Sequence, residues 1–278
     1  MRPTKLILSG LLLGALALSC AASQQGKPAE GPSATTLSAS AARGRVVYQK
    51  ACASCHGDEG DGKGRAAEGL DPAPRNFVRA VYRYRSTPTG SLPRDKDLAR
   101  VVLVGAPHTE MPAWRDHLSG QEVADVVAYV KSFSTRFGEE EIDDAITVPK
   151  PTPYSAASVA RGKQAYEKAQ CGKCHGKEGR GDGWAKASEM KDPLGRVVPA
   201  RDFTRGIYRS GASREALYKV FYTGLDGTPM PGYEESMKPK EIYDLVNYLL
   251  SLERSRGVLY WLSTPPKWYE PGRQRVAR

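Results

Sequence analysis

Histidine, cysteine and long apolar runs are all scarce in this sequence of 278 residues. It contains 4 histidines and 5 cysteines. After the first 19 residues, no segment is long and apolar enough to span a bilayer as a helix. No stretch shows the alternation of apolar and polar residues that is typical of a half-buried strand. These absences exclude a chain of several membrane-spanning helices and give no support to a sheet-based fold.

The few cysteines and histidines are concentrated in two pentapeptides. Residues 52–56 read Cys-Ala-Ser-Cys-His, and residues 171–175 read Cys-Gly-Lys-Cys-His. C-x-x-C-H is the attachment signature of a c-type haem, because two thiols one helical turn apart can add to the two vinyl groups of a porphyrin. The following residue then places its imidazole under the iron. We therefore predict two c-type haems, attached through Cys52, Cys55, Cys171 and Cys174, with His56 and His175 as proximal ligands.

Two other uses of paired cysteines fit this spacing less well. The C-x-x-C pairs of a zinc ribbon are separated by about 15–20 residues, whereas these pairs are more than a hundred residues apart. A thioredoxin-like redox motif requires a βαβ context, which the sequence does not show. Since four of the five cysteines are assigned to haem, no structural disulfide is expected.

The chain contains two copies of one unit. Cys171 follows Cys52 by 119 residues, and the same offset relates Gly105/Gly224, Thr109/Thr228, Met111/Met230 and Pro112/Pro231. Two repeats are too few for a solenoid, so they indicate two globular units. We place the first unit at residues 41–133 and the second unit at residues 159–253.

Helices are expected at both ends of each unit. Ser119 and Glu122 form a capping box before an apolar stripe at helical spacing, and Pro239 suits the first turn of the corresponding helix. Residues 43–51 and 161–170 are short helical candidates, each with a glycine that allows close crossing over the C-terminal helix. The Gly/Pro-rich middle of each unit is expected to wrap the porphyrin as loops.

Two methionines are candidates for the sixth iron ligand. Met111 and Met230 each lie 55 residues after the histidine of their motif, and both occur in a T-x-M-P sequence. A thioether opposite an imidazole raises the reduction potential and closes the iron to substrates. By contrast, Met237 is expected in core packing and Met190 in a loop.

Histidine ligation is an alternative in the first unit only. His108 or His117 could replace Met111 there, although both are expected at the surface. The second unit has no histidine besides His175, so its sixth ligand is Met230 or its site is open.

On these features both units resemble class I cytochrome c domains. The resemblance runs through helix, C-x-x-C-H, loop, Met-Pro and terminal helix, and it covers about two-thirds of the chain. It implies an all-α fold with two class I cytochrome c domains in tandem, each around one covalently attached haem. It also implies a carrier of electrons between membrane complexes and terminal acceptors.

Arginines cluster in the middle of each unit. Residues 72–93 contain several arginines and no acidic residue, and Arg75 and Arg201 share an R-[ND]-F context. The cluster could be a solvated basic face. Alternatively, Arg75 and Arg201 pair with haem propionates.

The N-terminus has the features of an export signal. Residues 1–19 combine a basic start, an apolar run and small residues, which is typical of a secretory signal peptide. Cys20 follows a sequence similar to a bacterial lipoprotein box, with ordinary cleavage as the alternative. We expect lipidation at Cys20, a flexible tether over residues 20–40, and export to the periplasmic side of a bacterial membrane.

The net charge of +10 is unevenly distributed. The linker at residues 134–158 is acidic and proline-rich, and we expect it to be extended and semi-rigid. The tail at residues 254–278 has 6 basic and 1 acidic residues. Either the tail is solvated or it packs on a domain, a partner or an anionic lipid surface. Nucleic acid is not an expected partner of an exported protein of this kind.

Two classes of function agree with these features. The favoured one is an electron carrier, not an enzyme, that passes single electrons between a redox donor and acceptor. The alternative is a dihaem enzyme such as a cytochrome c peroxidase, which needs one iron with an accessible sixth position. A role as the electron-transfer subunit of a larger oxidoreductase is compatible with the first class.

Overall fold

The structure is a computed structural model that describes residues 37–253. The predicted signal peptide, the lipidation site at Cys20, most of the tether and the basic tail at residues 254–278 lie outside the described residues. Predictions about those segments stay predictions.

Within residues 37–253 the secondary structure is helical, as the sequence predicts. The α-helices are α1 (Ala39–Ala51), α2 (Ala53–His56), α3 (Asp95–Val104), α4 (Gly120–Ser132), α5 (Arg136–Glu139), α6 (Ala156–Lys168), α7 (Gly172–His175), α8 (Arg214–Thr223) and α9 (Pro239–Ser251). A 3₁₀-helix covers Phe203–Arg205. The described residues contain no strand, apart from an isolated antiparallel bridge between Lys191 and Val197.

Each unit is built on two helices that cross at a glycine. Helix α1 crosses α4 at Gly44, and α6 crosses α9 at Gly162. A Cβ atom at Gly44 would lie 1.9 Å from the carbonyl oxygen of Asp125, and a Cβ at Gly162 would lie 1.9 Å from that of Asp244. The predicted close crossing is therefore confirmed, because only a residue without a side chain fits between the two backbones.

A bidentate ion pair holds each crossing. The guanidinium of Arg43 donates to both carboxylate oxygens of Asp125 at 2.8 Å, and Arg161 donates to Asp244 at 2.7 and 2.9 Å. These hydrogen bonds, together with one from Ser40, lower the pKa of Asp125 to about 2. Both carboxylates are almost fully covered, so each pair locks the start of one helix to the middle of another.

The middle of each unit contains a helix that the sequence analysis treated as loop. Helix α3 packs on α4, and α8 packs on α9. Leu98 and Leu217 are buried at matching places on these helices. Each helix has 10 residues between Gly/Pro-rich segments, and its apolar stripe is too short to outweigh those flanking turn signals.

The two units contact each other directly. Arg85 of the first unit is fully buried, donates to the Thr223 carbonyl of the second unit at 2.9 Å and pairs with Asp226 at 3.0 Å. On the far side of α3, Arg100 donates to the carbonyl of Ser210 at 3.0 Å. These contacts fix the two units against each other.

The linker is extended, apart from α5, and hydrogen bonds attach it to both units. Ile146 donates its backbone N–H to the Ser86 carbonyl at 2.7 Å in the first unit. Tyr243 of the second unit donates its hydroxyl to the Pro149 carbonyl at 2.8 Å. The linker therefore runs along the surface of both units as part of the folded structure.

We expect the substitution Gly162→Ala to destabilise the protein strongly, because the new methyl group overlaps the backbone of α9. Overpacking of this kind costs about 3 kcal/mol of unfolding free energy. The matched control is Gly120→Ala at the start of α4, where a Cβ meets no atom within 4 Å and the change stays within about 0.5 kcal/mol. Denaturant titration of the haem-loaded protein measures both values, and equal values would contradict the close crossing.

Candidate haem-binding site

Each unit contains a cavity lined by its own motif. The first cavity is lined by Cys52, Cys55 and His56, together with Met111 and Arg75. The second cavity is lined by the matching set of Cys171, Cys174, His175, Met230 and Arg201. All the residues predicted to hold haem therefore come together in two separate groups.

A short helix presents the two cysteines and the histidine in each cavity. Helices α2 and α7 have 4 residues each and end at a glycine with positive φ, Gly57 or Gly176. The hydroxyl of Tyr48 donates to the Gly57 carbonyl at 2.7 Å, and Tyr166 does the same to Gly176 at 2.6 Å. The end of each motif is thus tied to the preceding long helix.

The two histidine rings are held in one orientation. Nδ1 of His56 lies 3.0 Å from the carbonyl oxygen of Arg75, and Nδ1 of His175 lies 3.0 Å from that of Arg201. Because a carbonyl oxygen can only accept, Nδ1 carries the proton and Nε2 keeps its lone pair for a metal. Burial lowers the pKa of both rings, which favours the neutral form that a metal requires.

The two methionines lie in loops of the same shape. Thr109 Oγ1 accepts from the N–H of Met111 at 3.1 Å, and Thr228 Oγ1 accepts from that of Met230 at 3.2 Å. A glycine with positive φ precedes each loop, and a Cβ at Gly105 would lie 2.6 Å from the carbonyl oxygen of Met111. The matched T-x-M-P sequence therefore has a local structural role in setting each methionine.

The alternative ligands in the first unit lie elsewhere. His108 and His117 are exposed; they line a depression beside the Met111 loop and do not line the cavity that contains His56. Met237 is packed against the core of the second unit, as expected. Met190 lies in a loop, but it also lines the second cavity, which the sequence did not indicate.

The lining of each cavity fits a haem group. The walls are largely apolar, with Val126, Val127 and Val130 in the first cavity and Val220, Phe221 and Leu249 in the second. Arg75 also lines the first cavity, and burial lowers the pKa of its guanidinium to about 10. A partly buried cation of this kind requires an anion, which the two propionates of a haem supply. Arg75 is half-buried and lines the first cavity, so its pairing with haem propionates stays a prediction.

Three buried polar atoms in the described part of the chain also lack a hydrogen-bond partner, which an anion in the cavity would supply. The hydroxyl of Tyr82 and the Nε atoms of Arg83 and Arg209 have no hydrogen-bond partner within residues 37–253. The sequence analysis did not assign these residues, although Tyr82-Arg83 recurs as Tyr208-Arg209. That recurrence was the signal that could have identified them.

Comparison with known proteins agrees with this geometry. Residues 39–130 match the family model "Cytochrome C oxidase, cbb3-type, subunit III", and residues 159–253 match the model "Cytochrome c". A chain of the Kuenenia stuttgartiensis reducing HAO-like protein complex Kustc0457/Kustc0458 is 41% identical, with a TM-score of 0.73. The alignment covers 76% of this chain and 96% of that chain.

The chain belongs to the tandem-domain c-type cytochromes. A curated relative of this dihaem cytochrome is the Cbb3-type cytochrome c oxidase subunit FixP of Azorhizobium caulinodans, 24% identical over 216 residues. That alignment covers 78% of this chain and 61% of FixP, so the chain spans less than two-thirds of the length of that relative. The cytochrome carries two covalent c-type haems and transfers electrons.

We expect Met230→Ala to open the second haem alone. In the ferric protein the second haem should lose its methionine charge-transfer band, and in the reduced protein it should bind carbon monoxide. The first haem should keep its spectrum in both states. Met111→Ala should have the reciprocal effect. Met190→Ala is the matched control, since Met190 lines the same cavity outside the repeat. If Met190→Ala removes the band and Met230→Ala does not, Met190 is the ligand.

Proposed function

We propose that this cytochrome is a carrier of single electrons in which methionine closes both irons. Its two haem domains are residues 41–133 and 159–253, joined by the linker at residues 134–158. The observation that carries this proposal is the pairing of His56 with Met111 and of His175 with Met230 in two matched cavities.

The residues around each cavity suit electron transfer better than catalysis. When bound, each haem supplies a one-electron couple between ferrous and ferric iron. The histidine Nε2 and the methionine sulfur would hold the iron of each haem, and the apolar walls would exclude water from it. Within the described residues, no cluster of three or more His, Cys, Asp or Glu side chains is placed to hold a further metal ion. The supporting pattern is therefore that each cavity is lined by one histidine and one methionine at matching repeat positions.

A dihaem peroxidase is the alternative enzyme, and ligand binding separates the two functions. We expect the unmodified protein to bind no carbon monoxide and to turn over no peroxide, because both sixth positions are filled. Met111→Ala is the positive control, since its first haem should bind carbon monoxide. Stopped-flow mixing with a reduced c-type cytochrome should oxidise the partner with one electron per haem. Peroxide turnover with an added electron donor would contradict the carrier proposal.

A role within a larger oxidoreductase is supported by the solved relative. That chain is part of an HAO-like complex, and this cytochrome aligns with 96% of its length. We propose that this protein likewise delivers electrons to, or accepts them from, a partner redox enzyme on the periplasmic side of the membrane. The interface between its two units leaves the outer faces of both domains for such contacts.

We further propose that the protein is held at the membrane by lipid on Cys20. No helix within residues 37–253 has the length and apolar character needed to cross a bilayer. The motivation is therefore the lipoprotein-like sequence before Cys20, in the segment outside the described residues.

Replacement of the anchor residue tests this localisation. Cys20→Ser should release the haem-loaded protein into the soluble fraction or block its maturation, because the acyl chains cannot be attached. Fractionation followed by haem staining gives the result. If the variant matures and stays with the membrane like the parent, the anchor is elsewhere.

A further inference from the structure

Three side chains line both cavities at once. Arg83 and Tyr84 belong to the first unit, yet they also line the second cavity. Arg209 belongs to the second unit, yet it also lines the first cavity. Arg83 and Arg209 occupy matching positions in the repeat. Each unit therefore extends one arginine towards the cavity of the other.

The contacts between the units hold these arginines in place. Two residues after Arg83, the fully buried Arg85 is bonded to Thr223 and Asp226 of the second unit. Next to Arg209, the Ser210 carbonyl accepts a hydrogen bond from Arg100 of the first unit at 3.0 Å. Contacts between the two units therefore fix the backbone next to both Arg83 and Arg209.

The charges at this junction are unbalanced. Nε of Arg83 and Nε of Arg209 are buried and have no hydrogen-bond partner within residues 37–253. The two guanidinium groups repel each other, and Arg75 and Arg201 lie close enough to add to the repulsion. Four cationic side chains therefore meet at the junction, and the nearby carboxylate of Asp192 is already paired with Arg196 at 2.7 Å.

We infer that Arg83 and Arg209 are exchanged between the haem sites, each contacting propionates of the haem in the other unit. The propionates are the anionic part of a haem, and Arg83 and Arg209 are cationic side chains that line both cavities. On this inference the anionic edges of both haems face the arginines, close to Tyr84, which also lines both cavities. The two haems then form one coupled redox pair, an inference that rests on the two-haem carrier proposed above.

Reduction potentials measured one haem at a time test the exchange. A cation beside a haem disfavours the ferric state, which has one more positive charge, so loss of an arginine lowers the potential. In a Met230→Ala background only the first haem keeps its methionine charge-transfer band. Adding Arg209→Gln should then raise the ferric-to-ferrous ratio of the first haem roughly fivefold at a fixed applied potential. Arg83→Gln in a Met111→Ala background should do the same to the second haem.

Exposed arginines from the same segments are the matched controls. Arg79→Gln and Arg205→Gln remove a positive charge at matching repeat positions, but neither residue lines a cavity. Both should leave the two potentials unchanged, whereas Arg209→Lys, which keeps the charge, should restore most of the lost potential. Mass spectrometry and circular dichroism verify that each variant holds two haems and is folded.

The results of these variants separate the inference about the arginines from the assignment of methionine as the iron ligand. If Arg209→Gln shifts only the second haem, each arginine serves its own unit and the exchange is overturned. If Met230→Ala removes no band, the methionine assignment fails instead. The exchange is then decided in the otherwise unmodified protein, where Arg209→Gln must lower the potential of the first haem and a shift of the second haem alone overturns it.

Discussion

Each candidate haem site depends on one hydrogen bond, from the histidine ring of its C-x-x-C-H motif to the carbonyl of an arginine. In the first unit this bond joins His56 to Arg75 at 3.0 Å. It fixes the tautomer, so that Nε2 remains available for iron. It also fixes the backbone of the residue whose guanidinium lies on the cavity lining. One contact therefore sets both the iron ligand and the position of a charge suited to a propionate.

Glycine allows the helices behind each cavity to approach closely. At Gly44 and Gly162 two helices touch backbone to backbone, and an Arg–Asp pair beside each crossing holds them together. A unit of this size has a small core of its own. The remaining apolar surface lines the cavity, where a covalently attached haem completes the core. Cofactor binding and folding are therefore closely connected in this protein.

The fold could be predicted wherever the signal was local. The capping box at Ser119 and the first-turn proline at Pro239 set two helix starts correctly, because a cap depends on residues within one turn. The helices Asp95–Val104 and Arg214–Thr223 were missed. Each is short and packs on a later helix, although each also has a local cap, from Asp97 in the first and from Ser213 in the second.

The sequence by itself determined the covalent chemistry, since C-x-x-C-H places two thiols and an imidazole within reach of one porphyrin whatever surrounds it. The repeat added the two methionines as candidates. Only the tertiary structure distinguished the arginines of residues 72–93. Arg79 is exposed, Arg85 is buried against the second unit, and Arg83 lines both cavities. The reason is physical: the environment of these side chains is set by residues more than a hundred positions away, which no local pattern records.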